Sequence, residues 1–84
     1  YPNPFNPQTN IQIDLQNPQR VQVYIYDIKG QMVKTLVNRQ LVAGQHVFTW
    51  NGQNYQGIPV STGTYFVRIK GKNQERWQKV TLLK

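Results

Sequence analysis

The stretch GTYFVRIKGKNQERWQKVTLL, residues 63–83, carries the clearest structural pattern in this sequence. Its first half sets Tyr65, Val67 and Ile69 on one face, opposite Phe66, Arg68 and Lys70. Its second half sets Val80 and Leu82 opposite Lys79, Thr81 and Leu83. This period of two is typical of β-strands, and a glycine-containing turn at 71–73 separates the two halves. The stretch therefore predicts an antiparallel β-hairpin.

The same alternation recurs in three segments that precede this hairpin. The members that share a face are Ile11, Ile13 and Leu15; Val21, Val23 and Ile25; and His46, Phe48 and Trp50. Turns that contain Gly or Pro separate the segments, and residues 33–37 are apolar but irregular, which predicts a bulge or a short helical turn. Because no apolar stripe has helical spacing, we predict an all-β antiparallel sandwich of about seven short strands.

Composition excludes several classes of protein. The chain has 84 residues, no Cys and a formal net charge of +7. A chain of this length has room for one domain, and without Cys it can build neither a disulfide scaffold nor a thiolate zinc site. Its apolar runs are too short for a transmembrane helix, so we expect no membrane insertion.

Residues that could support catalysis are few. The acids are Asp14, Asp27 and Glu75, and their spacing sets up no pair for acid–base chemistry. Asp27 is instead expected to cap the backbone of its own turn. The single His46 and the single Ser61 lack partner residues nearby in sequence. We therefore predict no catalytic residue, no metal site and no cofactor, and a protein that is not an enzyme.

The loop NGQNYQG at residues 51–57 has the polarity of a calcium site but not its charge. Its candidate ligands are neutral amides and a phenol, whereas calcium sites depend on carboxylates. The sequence therefore favours a tight turn, with Gly52 and Gly57 at positive φ.

The positive charge is concentrated where aromatic residues also occur. If the two halves of residues 63–83 pair, one outward patch contains Phe66, Arg68, Lys70, Trp77 and Lys79. Such a patch could bind a polyanion such as an anionic glycan. The alternative is a solvated face whose charges prevent sheet-to-sheet aggregation. No nucleic-acid recognition motif accompanies the charge, so we expect no specific nucleic-acid partner.

The first eight residues differ from the rest of the chain. Pro2, Pro4 and Pro7 exclude a helix and predict an extended or turning lead-in, with Tyr1 and Phe5 packing on a sandwich domain that covers 9–84. Because the sequence starts with Tyr and ends on a strand pattern, we expect a piece excised from the C-terminal end of a larger protein.

Taken in order, the motifs resemble a known family. They are YPNPFNP at 1–7 with Thr9 and Ile11, VQVYIYD at 21–27 with Gly30, Val33 and Leu36, AGQH at 43–46, WNG at 50–52, GIPV at 57–60, GTY at 63–65 and KVTLL at 79–83. This set resembles the type A C-terminal sorting domains of the type IX secretion system. The same core pattern is similar to the immunoglobulin-like domain of flagellar hook-capping proteins. Both resemblances imply an immunoglobulin-like sandwich, and the proline-rich opening and terminal strand favour the sorting domain.

The favoured resemblance implies a non-catalytic secretion signal. It would be read by the outer-membrane type IX translocon and shuttle proteins and would follow a parent cargo domain that lies upstream. In many members of that family a sortase later removes the domain. The protein would pass through the periplasm to the cell surface or the extracellular medium. Carried over from the family, the recognition residues are Gly63, Thr64, Tyr65, Lys79, Val80, Leu82 and Leu83. Their final strand is expected at a sheet edge, open to strand addition.

Two other functions remain open from the sequence. One is an accessory module that binds glycan or another polyanion through the basic patch. The other is a structural spacer or assembly domain, like the hook-capping relative.

Overall fold

A computed structural model describes residues 8–83, and these form six β-strands in two antiparallel sheets. The strands are β1 (Thr9–Leu15), β2 (Gln19–Tyr26), β3 (Met32–Leu41), β4 (Gly44–Trp50), β5 (Gly63–Gly71) and β6 (Gln74–Leu82). The smaller sheet is β1-β4, and the larger sheet has the order β3-β2-β5-β6. The predicted all-β sandwich is confirmed, with six strands in the described residues. The expected packing of Tyr1 and Phe5 falls outside these residues.

The core lies between the sheets and is built from the inward positions predicted by the alternation. Its largest fully buried side chain is Trp50, which belongs to the smaller sheet. Its ring packs edge-on against Tyr65 of the larger sheet, with ring centroids 5.1 Å apart. The Trp50 indole N–H donates a hydrogen bond to the Gln53 carbonyl at 2.9 Å, so its polar atom is satisfied on burial. This pair therefore joins the two sheets.

The irregular segment at 33–37 is a bulged part of β3. Along β2, Val23 faces Val37 but Tyr24 faces Thr35, so Leu36 has no opposite residue. A second register shift follows between Ile25 and Tyr26. An extra residue on one strand bends that strand and increases its twist. The predicted bulge is therefore confirmed, and it lies on an edge strand of the larger sheet.

The turn after β2 shows why Asp27 occupies its position. The Asp27 carboxylate oxygen Oδ1 accepts hydrogen bonds from the backbone N–H groups of Lys29 and Gln31, both at 2.9 Å. Gly30 has a φ of 81° and donates its N–H to the Asp27 carbonyl at 3.0 Å. The side chain thus caps the turn as the sequence predicted.

Among the described residues, no helix is long and apolar enough to cross a membrane.

Candidate functional site

The larger sheet presents a face to solvent that combines aromatic and charged side chains. We call it the outer face and define it by the outward residues Tyr24 and Tyr26 of β2, Phe66, Arg68 and Lys70 of β5, and Glu75, Trp77 and Lys79 of β6. Strand pairing sets their neighbours, because Arg68 lies between Tyr24 and Trp77, and Phe66 lies between Tyr26 and Lys79. Three adjacent strands therefore contribute to one continuous surface.

Aromatic rings form the centre of the outer face. Tyr24 and Tyr26 have ring centroids 6.3 Å apart, and the Tyr26 and Trp77 centroids are 5.6 Å apart. In both pairs the ring planes are tilted and not parallel, as aromatic pairs prefer. Trp77 remains 54% exposed, although a Trp side chain is usually well buried. A large exposed ring held by neighbours is a typical anchor for binding.

Arg68 supplies the charge beside these rings. Its guanidinium carbon lies 5.6 Å from the Trp77 ring centroid, within the range of a cation–π contact. Its Nε donates to a carboxylate oxygen of Glu75 in an ion pair. The neighbouring side chains of Tyr26 and Glu75 raise the pKa of Arg68. Arg68 therefore stays positively charged, and its neighbours fix the orientation of the guanidinium plane.

The structure brings together the five residues that the sequence assigned to a basic patch. Phe66 pairs with Lys79, Arg68 pairs with Trp77, and Lys70 lies two residues beyond Arg68 on the same strand. Sequence reasoning missed Tyr24 and Tyr26. Their outward parity was visible within β2, but only the pairing of β2 with β5 places them beside the patch.

The residues predicted to be read by a translocon also meet in the structure. Gly63, Thr64 and Tyr65 pair with Leu82, Thr81 and Val80, at the end of the β5–β6 hairpin. Of the seven predicted residues, Tyr65, Val80 and Leu82 are buried in the core, and Leu83 is 70% exposed. The Tyr65 hydroxyl donates to the Ser61 carbonyl at 2.6 Å. Buried members hold the domain together, so they offer no side chain to a partner.

β6 is an edge strand of the larger sheet, as expected from the sequence. It contacts the smaller sheet through Arg76, whose guanidinium donates to the Gln12 carbonyl at 3.1 Å. Whether a partner strand adds to this edge stays a prediction.

The remaining polar residues serve the fold. In the 51–57 loop, the Asn54 side-chain oxygen accepts backbone N–H bonds from Gln56 and Ile58 at 2.9 and 3.0 Å. Gly52 and Gly57 have φ values of 77° and 80°, as the sequence predicted for a tight turn. Asn54 therefore repeats the capping role of Asp27, and its oxygen is already committed to the backbone.

The other residues that could take part in catalysis or metal binding do not come together in one site. His46 is half-buried, and its ring stacks on the Phe48 ring with the two centroids 6.3 Å apart. Its Nε2 donates a hydrogen bond to the Val42 carbonyl at 2.7 Å. Within residues 8–83, no three of His, Cys, Asp and Glu come together as a possible metal site.

A cavity of about 390 Å³ opens between the sheets, and its rim includes Asp14 and Arg76. It has no aromatic lining, so the outer face is the stronger candidate for a functional surface.

Comparison with known proteins gives a consistent result. Residues 3–75 match the family described as the FlgD Ig-like domain. The basal-body rod modification protein FlgD of Salmonella typhimurium is 39% identical over 62 residues, which cover 73% of this chain and 27% of that protein. The Escherichia coli protein of the same name is 37% identical over 54 residues, or 64% of this chain and 23% of that protein. The chain thus spans about a quarter of the curated relatives it matches.

Two solved structures share the fold. FlgD from Pseudomonas aeruginosa has a TM-score of 0.69 at 26% identity, over 90% of this chain and 60% of that one. FlgD from Xanthomonas campestris, whose structure is described in terms of hook capping essential for flagellar assembly, has a TM-score of 0.70 at 21% identity. This match covers 94% of this chain and 56% of the Xanthomonas chain. The immunoglobulin-like part of the fold prediction is therefore confirmed.

These matches correct the function expected from the sequence. The preferred type IX sorting signal is wrong, because the family and the named relatives are flagellar. The translocon, shuttle and sortase partners are wrong for the same reason, as is the passage of secreted cargo through the periplasm to the cell surface or medium. The second resemblance, to the hook-capping domain, is confirmed. Since the match extends over most of its length, this chain belongs to the FlgD Ig-like domain family.

Proposed function

We propose that this chain is the immunoglobulin-like part of a flagellar hook-capping protein and acts there as a non-enzymatic assembly domain. The single observation that carries the proposal is the family match over residues 3–75. The relatives' names, rod modification and hook capping, supply the process. Because the chain spans only about a quarter of the curated relatives, the role of the whole protein is part of the proposal.

The shape of the domain supports an assembly role. Its interior is filled by packed apolar side chains such as Trp50 and Ile25, both 0% exposed. Its polar loop and turn groups, at Asp27 and Asn54, are used to cap the backbone. Its outer face carries aromatic and charged residues together, and these can contact another protein.

A chimera tests the proposal. The 62-residue region of Salmonella FlgD that matches this chain is replaced by the matching residues, in a strain that lacks its own FlgD. We expect the chimera to restore flagella, counted by electron microscopy, and swimming on soft agar. A second chimera that carries Val67→Asp, which buries a charge in the core, is the misfolded control and should not restore either. A chimera that accumulates as a folded protein and restores no flagella would contradict the proposal.

A further inference from the structure

We infer that the outer face binds an acidic segment of a partner protein, through carboxylates that flank an apolar side chain. The inference rests on the proposed function, because an assembly domain needs a protein partner. It deepens that function by naming the surface and the chemistry of what the surface binds.

Of the two tryptophans, the exposed one lies on the outer face. Trp77 is 54% exposed, and its ring packs against the Tyr26 ring with the two centroids 5.6 Å apart. The ring is thus oriented before any partner arrives, which lowers the entropy lost on binding. A partner's apolar side chain that covers Trp77 would remove this remaining surface from water.

Charge determines what can lie beside the ring. Arg68, Lys70 and Lys79 contribute positive charge to the outer face, and Glu75 is its one carboxylate. Glu75 already pairs with Arg68, so Lys70 and Lys79 give the face an excess of positive charge. Lys79 is exposed and Lys70 is half-buried. Complementarity therefore requires acidic groups on the partner, on both sides of the aromatic centre.

A protein segment fits this face better than a nucleic acid or a glycan. Polyanion affinity grows with the number of phosphates or sulfates that are neutralised, and here Arg68 is paired with Glu75, which leaves Lys70 and Lys79 for that task. A face that mixes aromatic and charged groups matches the composition of protein–protein interfaces. A polyanion is accordingly an alternative that the experiment must distinguish.

The chain itself offers a matched control. Arg39 of β3 also lies over an aromatic ring, with its guanidinium carbon 5.3 Å from the Phe48 centroid. It faces Val21 in the strand register, on the inward side of the larger sheet, whereas Arg68 faces Tyr24 on the outer face. Arg39→Gln and Arg68→Gln therefore remove the same charge and the same kind of contact from different surfaces.

The experiment measures the affinity of the 84-residue chain for a fluorescent synthetic peptide that alternates Glu with Phe. The comparison probes are the same peptide with Lys in place of Glu, a heparin oligosaccharide and a single-stranded DNA. We expect the acidic peptide to bind and the basic peptide not to bind. Arg68→Gln and Trp77→Ala should each weaken binding by roughly tenfold or more, as interface anchors do. Arg39→Gln should leave the affinity unchanged. Circular dichroism confirms that each variant is folded.

Three results would overturn the inference. They are no binding of the acidic peptide, an equal loss in Arg39→Gln and Arg68→Gln, and tighter binding of heparin or DNA than of the peptide at physiological salt. An equal loss would show that net charge acts without a defined site. If the chimera restores flagella while the acidic peptide does not bind, this inference fails and the proposed function stands.

Discussion

The two faces of the larger sheet use the same strands for different purposes. On β5, Val67 is 0% exposed in the core, while the next residue, Arg68, lies over Trp77 in solvent. On β2, Ile25 is 0% exposed and its neighbours Tyr24 and Tyr26 belong to the outer face. The inward residues Val67 and Ile25 are apolar, and the outward set is aromatic and charged. The difference shows that alternate residues of one strand do separate tasks: the inward residues fill the core, and the outward residues form the surface that we propose for contact.

The largest expected effect comes from the inner face. Ile25→Ala should lower the free energy of unfolding by about 2–5 kcal/mol, because it leaves a cavity among fully buried neighbours. Urea denaturation followed by circular dichroism measures the loss. Tyr24→Ala, the adjacent outward position, is the control and should cost about 1 kcal/mol, mainly its ring contact with Tyr26. Equal losses at the two positions would remove the distinction between the faces.

Removing a hydroxyl at the edge of the core should have a smaller effect on the free energy of unfolding. Tyr65→Phe removes the hydroxyl that donates to the Ser61 carbonyl, and should cost about 1 kcal/mol in unfolding free energy. The measurement is again urea denaturation. Tyr55→Phe removes the same atom from a side chain that is 74% exposed, and should change stability by less than about 0.5 kcal/mol. The hydroxyl of Tyr65 has no structural role if the two variants behave alike.

The outer-face ion pair should contribute less again. Arg68 and Glu75 have side chains that are 31% and 42% exposed, so solvent screens their attraction. Glu75→Gln should therefore change the unfolding free energy by less than about 1 kcal/mol. It should also strengthen binding of the acidic peptide, because it removes the one carboxylate of the face. Weaker binding in this variant would mean that Glu75 is itself a contact for the partner.

The smallest effect on stability is expected at Lys79. This side chain is exposed and faces Phe66 across the hairpin, so Lys79→Gln should change the unfolding free energy by less than about 0.5 kcal/mol. In peptide binding it should mainly slow association and reduce the dependence on salt, as a charge at the rim of an interface does. Stopped-flow fluorescence measures both. A faster dissociation with unchanged association would place Lys79 at the centre of the contact.

Much of the fold was predictable because its signals are local. Strict alternation in residues 63–83 predicted both strands of the hairpin and both of its faces. Asp27 and Gly30 predicted a turn whose hydrogen bonds lie within five consecutive residues. The full outer face was not predictable in this way. Tyr24 and Tyr26 join it through pairing of β2 with β5, and these strands are separated by two others in the chain.

The choice of function from the sequence failed for a physical reason. The motifs that carried the resemblance include Trp50, Gly52 and Tyr65, and each has a structural task. Trp50 joins the sheets, Gly52 adopts a φ of 77°, and Tyr65 bonds to the Ser61 carbonyl. Residues that hold a fold recur in any family that uses it, so they identify the fold and do not separate its functions.

If the outer face makes the contacts while the core stays unchanged, the two tryptophans should report on these regions separately. Trp77 is 54% exposed on the outer face, and Trp50 is 0% exposed with its indole N–H bonded to Gln53. The most direct measurement is the position of the two indole N–H signals in ¹H–¹⁵N NMR spectra as the acidic peptide is added. We expect the Trp77 signal to move and the Trp50 signal to stay in place. A Trp77 signal that stays in place while Trp50 or the backbone around Arg39 moves would contradict it.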